Sequence, residues 1–489
     1  MALNRQDRIA LLLFAFGLIA TAVYTAQDAS FHPQATFGTE YGNLAENLAL
    51  GNGFAGTFEV SAQPSAWMPP LLPLIMAGVF LIFGIKTTAS AQALLVVQIL
   101  FLWLALALLL LVATRQRYAG AVAVARWPLA MLFGLFILWN RHVLFLNFHD
   151  VGWTVVLSCL ALYSLTVLSE GKLAWPMLSA AILPLGSPAL ALAYAFMTPF
   201  SGASRKSMVM VLACFTLSVS GWTARNAVAM GAFVPLKSNL WFDFHQANVL
   251  DPDGVVSAAA FFRFHPAPGV DPKLRSDYRA GEIPFMAAHR QQALQFVRSH
   301  PEVVVEKLLN RLANATLLLQ TGEDIEASAF ILDAETQAYL AKRHLVAGSR
   351  GGVGWCCLDL DEALIQEQLR DLDSPERERL LGDWRRARKA LAARDKEWSP
   401  VVWGLSHALL PFLAILAGAL RPTVRGQHGF RLAAGLYIVY LVPYVLVSHY
   451  ARYQVSLTGL AAYLIWQAAP SGLSGLKIPR VKPDPVDSH

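Results

Sequence analysis

Apolar residues gather along this chain into long runs divided by short polar stretches, and run length gives the first inference. A bilayer core of about 30 Å takes about 20 apolar residues in a helix. Runs near that length occupy Ile9 to Ala26, Ala91 to Ala113, Trp127 to Leu146, Val151 to Ser169, Ser207 to Ala224, Val401 to Leu420, Phe430 to Val447 and, shortest, Tyr453 to Gln467. Two further runs break the pattern. Pro69 to Gly84 opens on a Pro-Pro step and has 16 residues, and Leu173 to Phe200 is interrupted at Gly186-Ser187-Pro188. The pattern predicts an all-α polytopic membrane protein.

Basic residues orient the runs. Arg115, Arg117 and Arg126 share one side with Arg205, Lys206, Arg421, Arg425, Lys477, Arg480 and Lys482, which by the positive-inside rule is the cytoplasmic side of Arg5 and Arg8. The first run then crosses outward and Ala91 to Ala113 crosses inward. Pro69 to Gly84 must therefore start and end outside, as an interfacial helix. Lys172 and Arg205 both lie inside, so Leu173 to Phe200 folds as two half-helices. The predicted topology has about eight full spans plus this half-helix pair, with both termini cytoplasmic.

It divides the chain into an N-terminal membrane part (1–224) with a first outer loop (27–90), and an extracytoplasmic, mostly helical segment (225–400). C-terminal membrane helices (401–469) and a basic cytoplasmic tail (470–489) follow. In the large segment, Ala287 to Ser299 leads to a break at His300-Pro301 and a further amphipathic helix with Glu302 in its first turn. Asp359 to Trp398 alternates apolar and charged residues at helical spacing, a solvated face.

Composition agrees. Of 489 residues 55% are hydrophobic and 15% charged, against about 25% charged in soluble domains, and mean hydropathy is +0.45. An ordinary soluble enzyme and a disordered chain are both excluded. The net charge of +6 sits mostly in loops and tail and reads as topology, with no nucleic-acid partner. Charge is unevenly spread: 14 charged residues lie between Ile9 and Ala224, against 28 between Thr321 and Ser399. Four cysteines, two in apolar runs and two adjacent at Cys356 and Cys357, are too few for a disulfide framework. There is no P-loop, no dinucleotide fingerprint and no HExxH or CxxC metal spacing.

A charge in hydrocarbon costs about 2.5 to 3.5 kcal/mol, so charges at the membrane edge need a reason. The topology puts Glu40 and Glu46, Asp150, Arg225, His449 and Arg452 at the outer face. Arginine grips phosphate through a planar fork of donors, and a carboxylate can serve as general base. Each has a plainer reading beside this one. Glu40 can be a solvated loop acid, Glu46 a helix-surface residue, Asp150 an N-cap, and Arg225 and Arg452 interfacial snorkelers.

Motifs then point to a family. "TEYGNLAENLALGNGFAG" from Thr39 and "PSAWMPPLLPLIMAGVFLIFG" from Pro64 resemble the first outer loop of the GT-C glycosyltransferases, the superfamily of the protein O-mannosyltransferases and the aminoarabinose transferases that modify lipid A. "NFHD" ending at Asp150, "LPLGSPALALAYAFMTPF", "GWTARNAVAMGAFVPLKSN" from Gly221 and "HYARYQVSLTGL" from His449 resemble further family elements in the same order. Three departures stand out: Thr39-Glu40 replaces the usual Asp or Asp-Glu, Ser187 stands where an Arg or Lys is common, and Ala247-Asn248 replaces Gly-Asn.

The resemblance implies a GT-C fold in the inner membrane with its site on the periplasmic side. It implies inverting transfer of sugar from a polyprenyl-phosphate donor to a hydroxyl or amine of a lipid, glycan or protein acceptor. Glu40 would be the general base or acceptor-positioning carboxylate, with Asp150 as partner. Arg225 and Arg452 would hold the lipid phosphate, while Tyr41, Lys237, Ser238, Asn239 and His449 would line the substrate site. No cofactor is required, although Glu40 and Asp150 offer ligands for a divalent metal, which some members use. Two rival classes are an O-antigen ligase or polymerase, and a transporter or flippase of a lipid-linked sugar. The second calls for paired repeats and broken helices near the midplane, and the single Gly-Ser-Pro break has no second copy.

Overall fold

Serine 204 opens the longest continuous helix of the chain's middle, its hydroxyl accepting from the Ser207 amide at 3.2 Å, and Gly231 closes it in the left-handed conformation (φ 65°). Such local signals recur through the computed structural model, which describes residues 4–27, 37–38, 40–115, 126–145, 148, 150–251, 253–256, 266, 272–317, 405–450 and 452–469, with scattered positions between 366 and 385. Among the described residues 80% are helical and none belongs to a strand. Five helices are long and apolar enough to cross a membrane. These are α1 (Arg5–Gln27), α4 (Thr88–Arg115), α7 (Asp150–Leu168), α10 (Arg205–Met230) and α17 (His428–Leu446).

The shorter elements are α2 (Tyr41–Ala49), α3 (Leu71–Phe83), α5 (Trp127–Trp139), α6 (Arg141–Phe145), α8 (Ala174–Gly186), α9 (Pro188–Met197) and α11 (Leu240–His245). They continue with α12 (Pro272–Arg279), α13 (Glu282–Ser299), α14 (Pro301–Leu317), α15 (Leu410–Leu420), α16 (Pro422–Arg425), α18 (Arg452–Val455) and α19 (Thr458–Ala468). With 13 residues, α3 is about 20 Å long, short of the hydrocarbon core. The half-helix pair is present: Ser187, in extended conformation, separates α8 from α9. His300 likewise separates α13 from α14.

Two expected spans are divided. Trp127 to Leu146 becomes α5 and α6, because the Asn140 amide turns back to the Phe136 carbonyl at 2.8 Å and pairs with His407 at 2.7 Å. Tyr453 to Gln467 becomes α18 and α19, with a turn at Ser456-Leu457. Val401 to Leu420 contains a π-helical turn (Leu405–Leu409) ahead of α15, and its first four residues lie outside the described set. So do Arg117, Thr39, Cys356, Cys357, most of Thr321 to Ser399 and the tail 470–489.

α7 is buried on every side and forms the axis of the bundle, packed by α4, α8, α17 and α19. At one end of the bundle Asp7 pairs with Arg126 at 3.1 Å, Arg115 with Glu170 at 3.1 Å, and Arg421 donates to the Ala468 carbonyl at 2.6 Å. Arg115, Arg126 and Arg421, three of the basic residues used to orient the spans, thus gather at one end. Asp150, at the other end of α7, joins the first loop and α18 there.

Candidate functional site

The first loop is built as a rigid platform. Asn47 on α2 draws the chain back on itself, its amide nitrogen lying 3.2 Å from the Gly56 carbonyl and 3.1 Å from that of Glu59, and its oxygen accepting from the Ser61 amide at 3.0 Å. Gly56 has φ 63°, and a Cβ there would collide with Glu59 and Asn47. The motif residues that follow converge on one buried carboxylate, Glu282 at the start of α13. It accepts from Ser65 Oγ (2.7 Å), the Ala66 amide (2.9 Å), Ser238 Oγ (2.6 Å) and Tyr278 Oη (2.9 Å). All its lone-pair positions are used, as a buried charge requires. Burial, followed by the charge of Glu282, holds the Tyr278 phenol well above its ordinary range. Trp67 packs edge-on against Phe58 and Tyr278 and tilted against Phe242 and Phe285, roofing this junction with aromatic rings.

Trp67 also reaches the candidate catalytic acid. Its indole N–H donates to Glu40 Oε1 at 2.8 Å, and Glu40 is 6% exposed. Around Glu40 the structure gathers charges from three distant parts of the sequence. The Tyr41 phenol is pushed well above its ordinary range by burial, then by Asp150 and Glu40, with Arg452 opposing. The half-buried Arg452 lies over the Tyr450 and Tyr453 rings at 4.8 and 5.8 Å. Burial weakens its charged form, but Tyr453, Asp150, Tyr450 and Glu40 more than offset this, and the guanidinium stays firmly protonated. Tyr453 stacks in turn on Tyr444, ring centroids 3.8 Å apart. Glu40, Asp150 and Arg452 therefore share one electrostatic environment walled by tyrosines.

Sequence reasoning missed a third acid in that environment, Asp243 on α11. Burial raises its carboxyl to about 7; Lys237 pulls the other way, Glu40 adds to the rise and Arg452 again opposes. The one available signal was a lone acid in the apolar stretch "NLWFDFHQANVL". Lys237 is thus placed beside the cluster. Asn239 is buried ahead of α11, its carbonyl accepting the Asp243 amide at 2.9 Å.

Arg225 is employed differently. It donates to the carbonyls of Ser65 (2.7 Å) and Phe54 (2.6 Å), touches Asn226 Oδ1 (3.0 Å), and lies over the Phe54 and Trp222 rings. It clamps the first loop beside Glu282. His449 is 1% exposed and neither ring nitrogen has a hydrogen-bond partner among the described residues. Burial, followed by the charge of Arg311, lowers its pKa to about 4 and keeps it neutral. Glu46 is not bare helix surface either, since it pairs with Lys86 at 2.6 Å.

No three His, Cys, Asp or Glu side chains among the described residues gather as metal ligands. Arg452 already supplies positive charge beside Glu40 and Asp150, and Glu40 is committed to an N–H donor. Two carboxylates beside a guanidinium make a poor donor set for a divalent ion.

No family model, characterised protein or solved structure matches this chain.

Proposed function

We propose that the protein is an inverting membrane glycosyltransferase of the GT-C type, taking sugar from a polyprenyl-phosphate donor at the outer face of the cytoplasmic membrane. The topology in this reading is the one drawn from the basic residues, eight spans and a half-helix pair. One observation carries it: Glu40 and Asp150, from separate segments, both lie near enough to Tyr41 and Arg452 to act on their titration.

Glu40, aimed by Trp67, takes the proton of the acceptor hydroxyl or amine as the new bond forms to the anomeric carbon. The bond from that carbon to the phosphate oxygen breaks, and polyprenyl phosphate leaves with the electron pair. Growing negative charge on that phosphate is stabilised by Arg452, a fixed cation in a partly dehydrated site. A phosphate leaves as a stable anion, so one base suffices, and Asp150 orients the acceptor or sugar. Arg225 acts by holding the loop that carries Glu40.

The test is sugar transfer from purified polyprenyl-phosphate donors by wild type and by Glu40→Gln, Asp150→Asn and Arg452→Ala. Transfer surviving all three substitutions would sink the proposal. Donor that crosses vesicles unconsumed supports a transporter instead.

A further inference from the structure

Two consecutive helices outside the long apolar set are built with different polarity. α13 buries Phe285, Met286 and Ala293 and exposes Gln291, Gln292 and Arg298, the ordinary arrangement of a helix in water. α14, beyond His300, differs: Glu302 and Glu306 are exposed in its first turns, but its remaining charged residues face inward and aliphatic ones outward. Lys307, Arg311 and Asn314 are buried, while Val305, Leu309 and Leu312 are 56%, 55% and 44% exposed. Steps of four and three residues put these three on one stripe.

The buried polar face is committed. Lys307 Nζ donates to the carbonyls of Asn248 (3.0 Å) and Asp251, and Arg311 to the Val445 carbonyl (2.7 Å) and Asn248 Oδ1 (3.1 Å). Rolling the helix over would take both donors away from the carbonyls of Asn248, Asp251 and Val445 and from Asn248 Oδ1, and leave those inward-facing acceptors unpaired. The outward apolar stripe is therefore enforced. Its neighbours say what covers it: α14 packs on α17 and on the π-helical turn before α15. Arg311 grips the last turn of α17 at Val445, next to Val442 and Leu446, which are 45% and 51% exposed on an apolar helix long enough to span a membrane.

We propose that α14 lies in the membrane interface, with Val305, Leu309 and Leu312 inserted at the acyl boundary, so that its partner is the lipid bilayer itself. This surface continues the lipid-facing side of α17 and holds whether or not the chain transfers sugar. It also ties lipid contact to the candidate site. Gln454, two residues beyond Arg452, donates to the Ala315 carbonyl at 2.8 Å, so the helix resting on the bilayer anchors the turn that carries Arg452.

The test places a genetically encoded fluorescent residue at Val305, Leu309 or Leu312 of the full chain, reconstituted in vesicles of phosphatidylethanolamine and phosphatidylglycerol. Gln292 on α13 and Val442 on α17 serve as references. Quenching by acyl-brominated lipid at the level of Val442, and several-fold above that at Gln292, is the expected result. Quenching by aqueous iodide at the level of Gln292 would overturn the proposal, as would shielding from both quenchers, which would mean that protein covers the stripe. Three independent positions keep the readout valid if one label disturbs folding.

Discussion

Trp67 and Glu40 are joined by a hydrogen bond, the indole N–H donating to the carboxylate at 2.8 Å, and both side chains are buried. The backbone around Trp67 is in turn fixed by Glu282 through Ser65 and Ala66. The backbone that positions the candidate base is thus held by a carboxylate 242 residues away in sequence, whose only other hydrogen-bond partners among the described residues are Ser238 and Tyr278.

The first prediction concerns that bond. A hydrogen bond to a charged group contributes about 1.5 to 3 kcal/mol, so Trp67→Phe is expected to lower kcat by about tenfold or more with the fold intact. Glu40→Gln removes the base and is expected to lower kcat by about 100-fold to 10,000-fold. Steady-state transfer kinetics check both.

Asp243 sets a pH dependence. Its carboxyl sits at about 7 because it is buried, against about 3.9 in an unfolded chain. A raised carboxyl favours folding below the unfolded value, and that contribution is lost as pH rises through about 7. Over this window its share of the slope of stability against pH is negative, opposite in sign to that of the buried histidines, and Asp243→Asn should remove that share. Asp251, also raised to about 7 by burial and by Asp253, adds a parallel slope that Asp251→Asn removes. An unchanged thermal-unfolding profile in both variants would contradict the assignment.

On the acid side the histidine pair decides. His245 and His289 meet through their Nδ1 atoms at 2.8 Å, one donating and one accepting. Burial lowers both to about 4, helped at His289 by its neighbour. The unfolded chain takes up protons near 6.5 while the folded one does not, so the pair's own contribution is lost as pH falls from about 6.5 to about 4, against the slope of Asp243 and Asp251. His289→Asn should reduce the pair's slope in the same unfolding measurement.

Arg225 and Arg452 are expected to part company. Arg225→Ala frees the carbonyls of Phe54 and Ser65 and should speed limited proteolysis between residues 50 and 66. Arg452→Ala should leave proteolysis unchanged and raise the donor KM. Equal effects of the two on KM, with no change in proteolysis, would restore Arg225 to the phosphate site.

What the sequence determined by itself was local and one-dimensional. Run length marked the long apolar helices, the Gly-Ser-Pro step the break at Ser187 and the His-Pro step the break at His300. The spacing of lysines and arginines foretold the end of the bundle at which Arg115 and Arg126 gather. These follow from hydrogen bonding and hydrophobicity within a turn or two of helix, so neighbours in sequence suffice. Tertiary structure decided everything that depends on who faces whom. The roles of Arg225, Asp243 and Glu282 rest on partners up to 217 residues away, and nothing local tells a guanidinium that meets backbone carbonyls from one that meets a carboxylate. The division of Trp127 to Leu146 at Asn140 has the same cause, a side chain paired with His407 across 267 residues.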